Sequence, residues 1–368
     1  MSIRIAIDVM GGDNAPNAIL DGCIDALSLL SETDVLVLVG DQTLIADYLS
    51  NKQVDDARLV IEHASEVIPM GASPTVAVRQ YKDSTIVKMA KIGSKKAQVR
   101  CDAVISAGNT GACVAAGQMH MKRLKGVHRP GIAVTFPSFH GPVVLCDAGA
   151  NPEPRATHLW QYAIMADVYA RRVLGEKSPR VGLLNIGSEE SKGNGLAKET
   201  AEMLKRTPGI NYIGYIEGRD IFSGVADVIV TDGFVGNTVL KMAEGFAKSI
   251  FQAIAQEIAE QDPALAAQFA PIVKSIYKKN DYHEYGGAPL LGLNGVMMIS
   301  HGSAEARTIK SAIRNTLEYV RGHVNDEIIA RLKEVAHIEP HSLAQVKPVV
   351  STQASANPVN AKQGEPAS

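Results

Sequence analysis

The chain is short of cysteine, of aromatics and of any surplus charge, and each shortage narrows what it can be. Four cysteines occur in 368 residues, Cys23, Cys101, Cys113 and Cys146, and none stands in a CxxC pair. That spacing argues against a disulfide scaffold and a zinc site and fits a reducing compartment. The 37 basic and 39 acidic residues leave a formal charge of −2, so no bulk positive field is available for nucleic acid. The ten histidines make no HExxH-like pattern, and no metal site is expected. No apolar run reaches the ~18 residues of a membrane-spanning helix. The opening "MSIRIAIDVMGGD" lacks the basic start and long apolar stretch of a signal peptide. A cytoplasmic protein is the expectation.

What is present is alternation. Strand-like runs cover 3–9, 34–40, 58–64, 102–108, 131–137, 141–147, 180–186, 210–216 and 226–232. Several are almost continuously apolar, as strands buried on both faces of a parallel sheet must be. Helix-like stretches such as "NAILDGCIDALSLLS" and "ATHLWQYAIMADVYARRVL" separate them. This order predicts a doubly wound α/β fold, one catalytic domain over 1–341. From Thr238 the pattern changes. Ala243, Phe246, Ala247, Ile250, Ile254 and Ile258 make one helical stripe, and Asp262 and Pro263 open a second helix. A helical hairpin over 238–280 is expected, suited to packing in a dimer or to resting on a membrane surface beside Lys274, Lys278 and Lys279. One further helix is expected over "SAEARTIKSAIRNTLEYVRGHVNDEIIARLKEV". The tail 342–368, rich in Pro, Ser, Asn and Gln, reads as disordered.

Ligands of open α/β sheets collect outside the carboxyl ends of strands. Five such ends carry small, polar loops: "DVMGGDNAP" (8–16), "SAGNTGA" (106–112), "CDAGANPE" (146–153), "NIGSEESKGNG" (185–195) and "TDGFVGN" (231–237). Together they predict a single crevice lined by backbone amides. In "SAGNTG" the glycines Gly108 and Gly111 allow close approach, while Ser106, Asn109 and Thr110 add hydrogen-bonding side chains. A strand-to-helix bend of this kind suits phosphate or another small anion. It has neither the lysine of a GxxxxGK[ST] loop nor a GxGxxG opening, so no nucleotide is indicated. Lys192, flanked by glycines, is a candidate anion partner. Asp232 and Asn237 bracket the start of the long helix, where one can cap it while the other faces the crevice. Cys146 ends an apolar run and reads as inert core. His301 sits in a glycine–serine strand-to-helix turn.

Taken together, "IAIDVMGGDNAP", "SAGNTGA", "DAGAN", "LLNIGSEESKGN", "DVIVTDGFVGNTVLKMAEG" and "YGGAPLLGLNGV…HGS" resemble the PlsX family of bacterial phosphate acyltransferases, in order and without large gaps from about Ile3 to Val335. Cys146 and Ala148 depart from the residues expected there. The resemblance implies a three-layer α/β/α sandwich like that of isocitrate and isopropylmalate dehydrogenases, with a mostly parallel sheet, a homodimer, and no cofactor. It implies reversible transfer of a long-chain acyl group from acyl carrier protein to inorganic phosphate, feeding phospholipid synthesis through a membrane acyltransferase. Matched residue by residue, Lys192, Asp232 and Asn237 become the catalytic candidates. Asn237 would donate to the oxyanion or phosphate, and Asp232 would orient Lys192 or accept the phosphate proton. Ser106, Gly108, Asn109, Thr110 and Gly111 become the phosphate loop, and Gly11, Gly12, Asp13, Asn151 and His301 the substrate-binding set. An acidic carrier would find a basic patch at Lys122, Arg123, Lys125, His128 and Arg129. The alternative is a phosphotransacetylase acting on short acyl-coenzyme A. An NAD-dependent dehydrogenase would need grouped arginines and metal-binding aspartates, which are not seen.

Overall fold

The protein, represented by a computed structural model, is described at residues 2–138, 140–261, 265, 268–272, 275–276 and 285–338. Of the second arm of the expected hairpin, residues 265, 268–272 and 275–276 are helical, whereas Lys274, Lys278 and Lys279 and the tail 342–368 lie outside the described residues. The strands are β1 (Arg4–Asp8), β2 (Val35–Gly40), β3 (Leu59–His63), β4 (Ala103–Ser106), β5 (Gly131–Ser138), β6 (Gly141–Cys146), β7 (Arg180–Leu184), β8 (Asn211–Ile216), β9 (Val228–Val230), β10 (Gly287–Leu291) and β11 (Val296–Ser300). The helices are α1 (Asn17–Ala26), α2 (Gln42–Asn51), α3 (Pro74–Gln80), α4 (Thr85–Ile92), α5 (Thr110–Ala116), α6 (Ala156–Val173), α7 (Gly195–Lys205), α8 (Gly233–Gln261), α9 (Ala306–Arg321) and α10 (Val324–Val335).

Among the described residues, eleven strands join one sheet in the order β3-β2-β1-β4-β11-β10-β5-β6-β9-β7-β8. Side chains alternate across it with the period of two that a strand imposes. Ile5 and Ile7 of β1 and Leu36 and Leu38 of β2 enter a core closed by α1, α6, α7, α9 and α10. Ala6, Val37 and Val39 enter a second core under α3, α4 and α5. Helix α6 runs through the first core and buries Trp160, Tyr162 and Tyr169 completely, which explains why it carries apolar residues all round. The α/β architecture expected from the alternation, and the three-layer α/β/α sandwich that the resemblance implies, are what is observed.

Two features depart from the sequence reading. The pair β10–β11 was not placed from the sequence, beyond the strand implied before the turn at His301, and it changes the geometry of the sheet. β1, β4 and β11 run parallel, but β10 is antiparallel to both β11 and β5, and β5 is antiparallel to β6. The half formed by β6, β9, β7 and β8 is parallel within itself and therefore runs opposite to the β1–β4 half. The five polar loops do not share one end of the sheet: those after β1 and β4 leave at one end, those after β6, β7 and β9 at the other. The second departure is at the C-terminal helix, which is two helices. α9 is capped by Gly322, and His323 takes a left-handed φ of 52° before α10 begins.

Candidate active site

Each half of the sheet ends a central strand in a buried aspartate. Asp8, at the end of β1, accepts a hydrogen bond from Ser106 Oγ at 2.7 Å and one from the Met10 amide at 3.2 Å. Ser106 Oγ in turn accepts from the Gly108 amide at 3.0 Å. Asp147, just beyond β6, accepts from the amides of Ile132 (2.9 Å), Ala150 (3.1 Å) and Asn151 (2.7 Å). Burial pushes both carboxyls above the ordinary carboxylate range, against the pull of these hydrogen bonds. Glycine lets the next segment close over each. A Cβ on Gly11 would collide with the Asp8 carboxylate, and one on Gly233 would stand 2.8 Å from Asp147 Oδ2.

These bonds assign several expected site residues to the scaffold. Ser106 is buried and bound to Asp8. Asn109 caps α5 through Oδ1, with the Ala112 amide at 2.9 Å, and its Nδ2 donates to the carbonyls of Pro69, Met70 and Ala72. Asn151 Nδ2 donates to the Pro130 carbonyl and the Tyr162 hydroxyl, both at 2.7 Å. Side chains so occupied shape their loops; they are not available as anion ligands. Asp232 caps α8, accepting from the Val235 amide at 2.8 Å. Lys192 is exposed, and among the described residues it pairs with neither Asp232 nor any other carboxylate.

The groups that remain meet in a cavity of about 140 Å³, well above the roughly 10–15 Å³ that admits one water. Thr110 comes to it from the start of α5, Ala148 from the loop after β6, and Ser300 and His301 from the end of β11. Ile132, Val134, Leu240 and Ile299 make apolar walls. The reversal of the half-sheets keeps the two sets of loops apart, and α8 bridges the gap. Its first turn lies over the Asp147 loop, where a Cβ on Gly149 would stand 3.6 Å from Asn237 Cβ. At 1.5 Å per residue the helix then carries Lys241 and Glu244 to His301, with Asn237, Lys241 and Glu244 all on the cavity side. Lys241 Nζ lies 2.8 Å from Glu244 Oε2 and 3.0 Å from His301 Nε2. Gly12 and Asp13 support this wall from behind: the Asp13 amide donates to the Gly302 carbonyl at 2.7 Å, and Gly12, at φ 106°, leaves no room there for a Cβ.

Of the sequence-predicted residues, Thr110, Asn237 and His301 therefore line one cavity. Gly12 and Asp13 buttress it, and Lys192 and Asp232 lie on the loops after β7 and β9. Lys241 and Glu244 were missed. Their spacing from Asn237, i+4 and i+7 on one helical face, was the available signal. The four cysteines are all buried, and burial raises Cys101 to about 11, Cys113 to about 12 and Cys146 well above the ordinary thiol. No thiolate nucleophile is poised among them. The described residues hold no group of three His, Cys, Asp or Glu able to grip a metal, and no described helix is long and apolar enough to cross a membrane.

The α/β/α sandwich, with a cavity of mixed lining against α8, has the fold of the phosphotransacetylases. A phosphotransacetylase from Streptococcus pyogenes superimposes with a TM-score of 0.57 at 15% identity, covering 87% of this chain and 94% of that one, which establishes the shared fold. Residues 3–327 match the family model described as "Fatty acid synthesis protein". The chain belongs to that family, and it is an acyltransferase. It is 44% identical over 337 residues to the phosphate acyltransferase of Geotalea uraniireducens, covering 90% of this chain and 95% of that protein. Identity to the phosphate acyltransferase of Bacillus licheniformis is also 44% over 337 residues, with 91% and 99% covered.

Proposed function

We propose that the protein transfers a long-chain acyl group from the thioester of acyl carrier protein to inorganic phosphate, reversibly, giving an acyl phosphate for phospholipid synthesis. The observation that carries this is the cavity itself. Hydrogen-bonding and cationic groups from Thr110, Asn237, Lys241 and His301 line it together with apolar residues. A tetrahedral anion and a thioester need those two surroundings. Phosphate is the nucleophile, so no covalent Ser or Cys is required, in keeping with four suppressed thiols. The work left to the protein is to hold phosphate against the carbonyl carbon and to stabilise the oxyanion that forms there.

In this reading Asn237 donates to the oxyanion or to phosphate. The 106–111 loop presents Thr110 and its backbone amides, with Ser106 and Asn109 holding its shape. Lys192 supplies a further positive charge from the loop after β7, on a flexible stem beside Gly193. Asp232 acts through the start of α8, which it caps, and so places Asn237. The chemistry assigned here calls for no metal.

Several partners follow. Lys122, Arg123, Lys125 and Arg129 are exposed, and they form a docking face for an acidic carrier. The α8 stripe supports a homodimer: Phe246 is 69% exposed, Ile250 42% and Ile254 40% in the single chain, more apolar surface on one helix than a lone soluble chain leaves uncovered. Peripheral contact of the hairpin tip with the inner face of the plasma membrane would bring the acyl phosphate to a membrane acyltransferase. The test sets two donors side by side with phosphate as acceptor. Rapid thiol release from a long-chain acyl carrier protein thioester, and slow release from acetyl-coenzyme A, is the expected result. The reverse preference would make the protein a phosphotransacetylase.

A further inference from the structure

Lys241 and His301 stand sixty residues apart in the chain and meet head-on in the cavity. Lys241 Nζ is 3.0 Å from His301 Nε2, and Glu244 Oε2, which pairs with that lysine, is 4.0 Å from the same nitrogen. On the far side of the ring, Nδ1 is 2.8 Å from Ser303 Oγ, and the Ser303 amide N–H points to the same nitrogen at 3.3 Å. An ammonium only donates, so Nε2 accepts from Lys241. A neutral imidazole cannot accept at both nitrogens; with Nε2 taken by the charged donor, the proton sits on Nδ1 and goes to the Ser303 hydroxyl at 2.8 Å, and the longer 3.3 Å amide contact is the one that yields. The basic lone pair is thus aimed into the cavity and covered by a lysine. Burial and the Lys241 charge hold His301 below the ordinary imidazole range, against the opposing pull of Glu244 on α8 and Asp13 on the β1 loop. That direction favours the neutral ring.

We propose that His301 carries the proton of the acyl transfer, and that it is uncovered as a base only when an anion in the cavity draws Lys241 away. The inference rests on the thioester-to-phosphate reading. A hydrogenphosphate dianion offers Lys241 Nζ a charged acceptor, which makes a stronger hydrogen bond than a neutral ring nitrogen does. As Nζ turns to the phosphate oxygens, Nε2 is freed. A phosphate oxygen then attacks the thioester carbonyl carbon while the phosphate hydroxyl proton passes to Nε2. The new C–O bond forms, the C–S bond breaks with its electron pair on sulfur, and the imidazolium, facing Glu244, returns the proton to the thiolate. Hydrogenphosphate dianion and thioester become acyl phosphate dianion and free thiol, and His301 ends neutral. One proton moves once in each direction, so the same ring serves the reverse reaction.

The test has two arms. In the first, thiol release from an acyl carrier protein thioester is followed across pH for the wild type, His301→Ala and Lys241→Met. His301→Ala is expected to lose about 10²- to 10⁴-fold in kcat, with the acid limb of the profile gone and partial rescue by added imidazole. Lys241→Met is expected to raise the KM for phosphate. In the second, ring-nitrogen NMR on the wild type reads His301 directly. It should show Nδ1–H in the free protein and a displaced Nε2 signal when inorganic phosphate is added. A folded His301→Ala enzyme with the wild-type kcat and pH profile would overturn the inference, and so would an Nε2 signal unmoved by saturating phosphate. Should His301→Ala fail to fold, the NMR arm decides alone. A wild type that releases no thiol would instead defeat the functional reading, which separates the two failures.

Discussion

The loop at 106–111 and the helical face of Asn237, Lys241 and Glu244 border the same cavity and are built on opposite principles. In the loop, polar side chains turn inward. Ser106 binds Asp8, and Asn109 spends its oxygen on a helix cap and its nitrogen on three carbonyls, so what it offers a ligand is Thr110 and backbone. The helical face does the reverse. Its backbone is satisfied within the helix, and its side chains point to the cavity. Polar residues in a tight turn are consumed in making the turn, because a buried loop must pair its own amides and carbonyls first. Polar residues along a helix have no such debt.

The contrast can be broken by mutation. The largest effect is expected on the helix: Asn237→Ala should lower kcat by about 10²–10³-fold, the usual cost of one oxyanion donor, with the melting temperature nearly unchanged. Turnover kept within a few-fold would remove Asn237 from the chemistry. In the loop the expectation inverts. Asn109→Ala should cost about 1–3 kcal/mol in denaturant unfolding, through the lost cap and the unpaired carbonyls, while folded molecules keep most of their kcat. Gly233→Ala tests the joint between the regions. Its Cβ would stand 2.7 Å from the Asn151 carbonyl oxygen, and displacing α8 to relieve that overlap should cost about 1–3 kcal/mol and shift Asn237 enough to reduce kcat.

The smallest effect concerns pH. Burial raises the Asp147 carboxyl in the folded protein. Its favourable contribution is therefore full below the unfolded value, about 3.9, and is lost as pH rises through the raised folded value. Asp147→Asn removes this titration but sets an amide against three backbone donors. Its unfolding free energy should be lower throughout, with the gap to the wild type narrowing as pH climbs from about 4. A gap that widens would contradict the direction of the shift.

Nine strands were legible because their apolar runs are long and several end in glycine, asparagine or aspartate, as "IRIAIDVMGGD" does. β10 and β11 were not. "GAPLLGLNGVMMIS" carries the glycines of a resemblance motif, and its apolar residues fall in two short pieces that periodicity alone does not separate from a loop. That omission hid the reversal of the second half-sheet, and with it the need for α8 to bridge two sets of loops. Of the residues read from the sequence, Asn237 and His301 line the cavity. Ser106, Asn109 and Asn151 instead hydrogen-bond within the fold, and sequence alone does not separate the two uses, because the residues that cap helices and tie turns are the same types that bind anions. Lys241 and Glu244 were hidden by their apolar neighbours on α8, whose stripe of Phe246, Ile250 and Ile254 drew attention to the other face.

The claim most open to direct test is that phosphate attacks the thioester without an acylated protein in between. Acyl carrier protein thioester is mixed with stoichiometric enzyme in the absence of phosphate, quenched at successive times, and examined for free thiol and for the intact mass of the protein. The account predicts no burst of thiol and an unchanged mass, with both thiol and acyl phosphate forming only when phosphate is added. A stoichiometric burst accompanied by a protein heavier by one acyl group would contradict it.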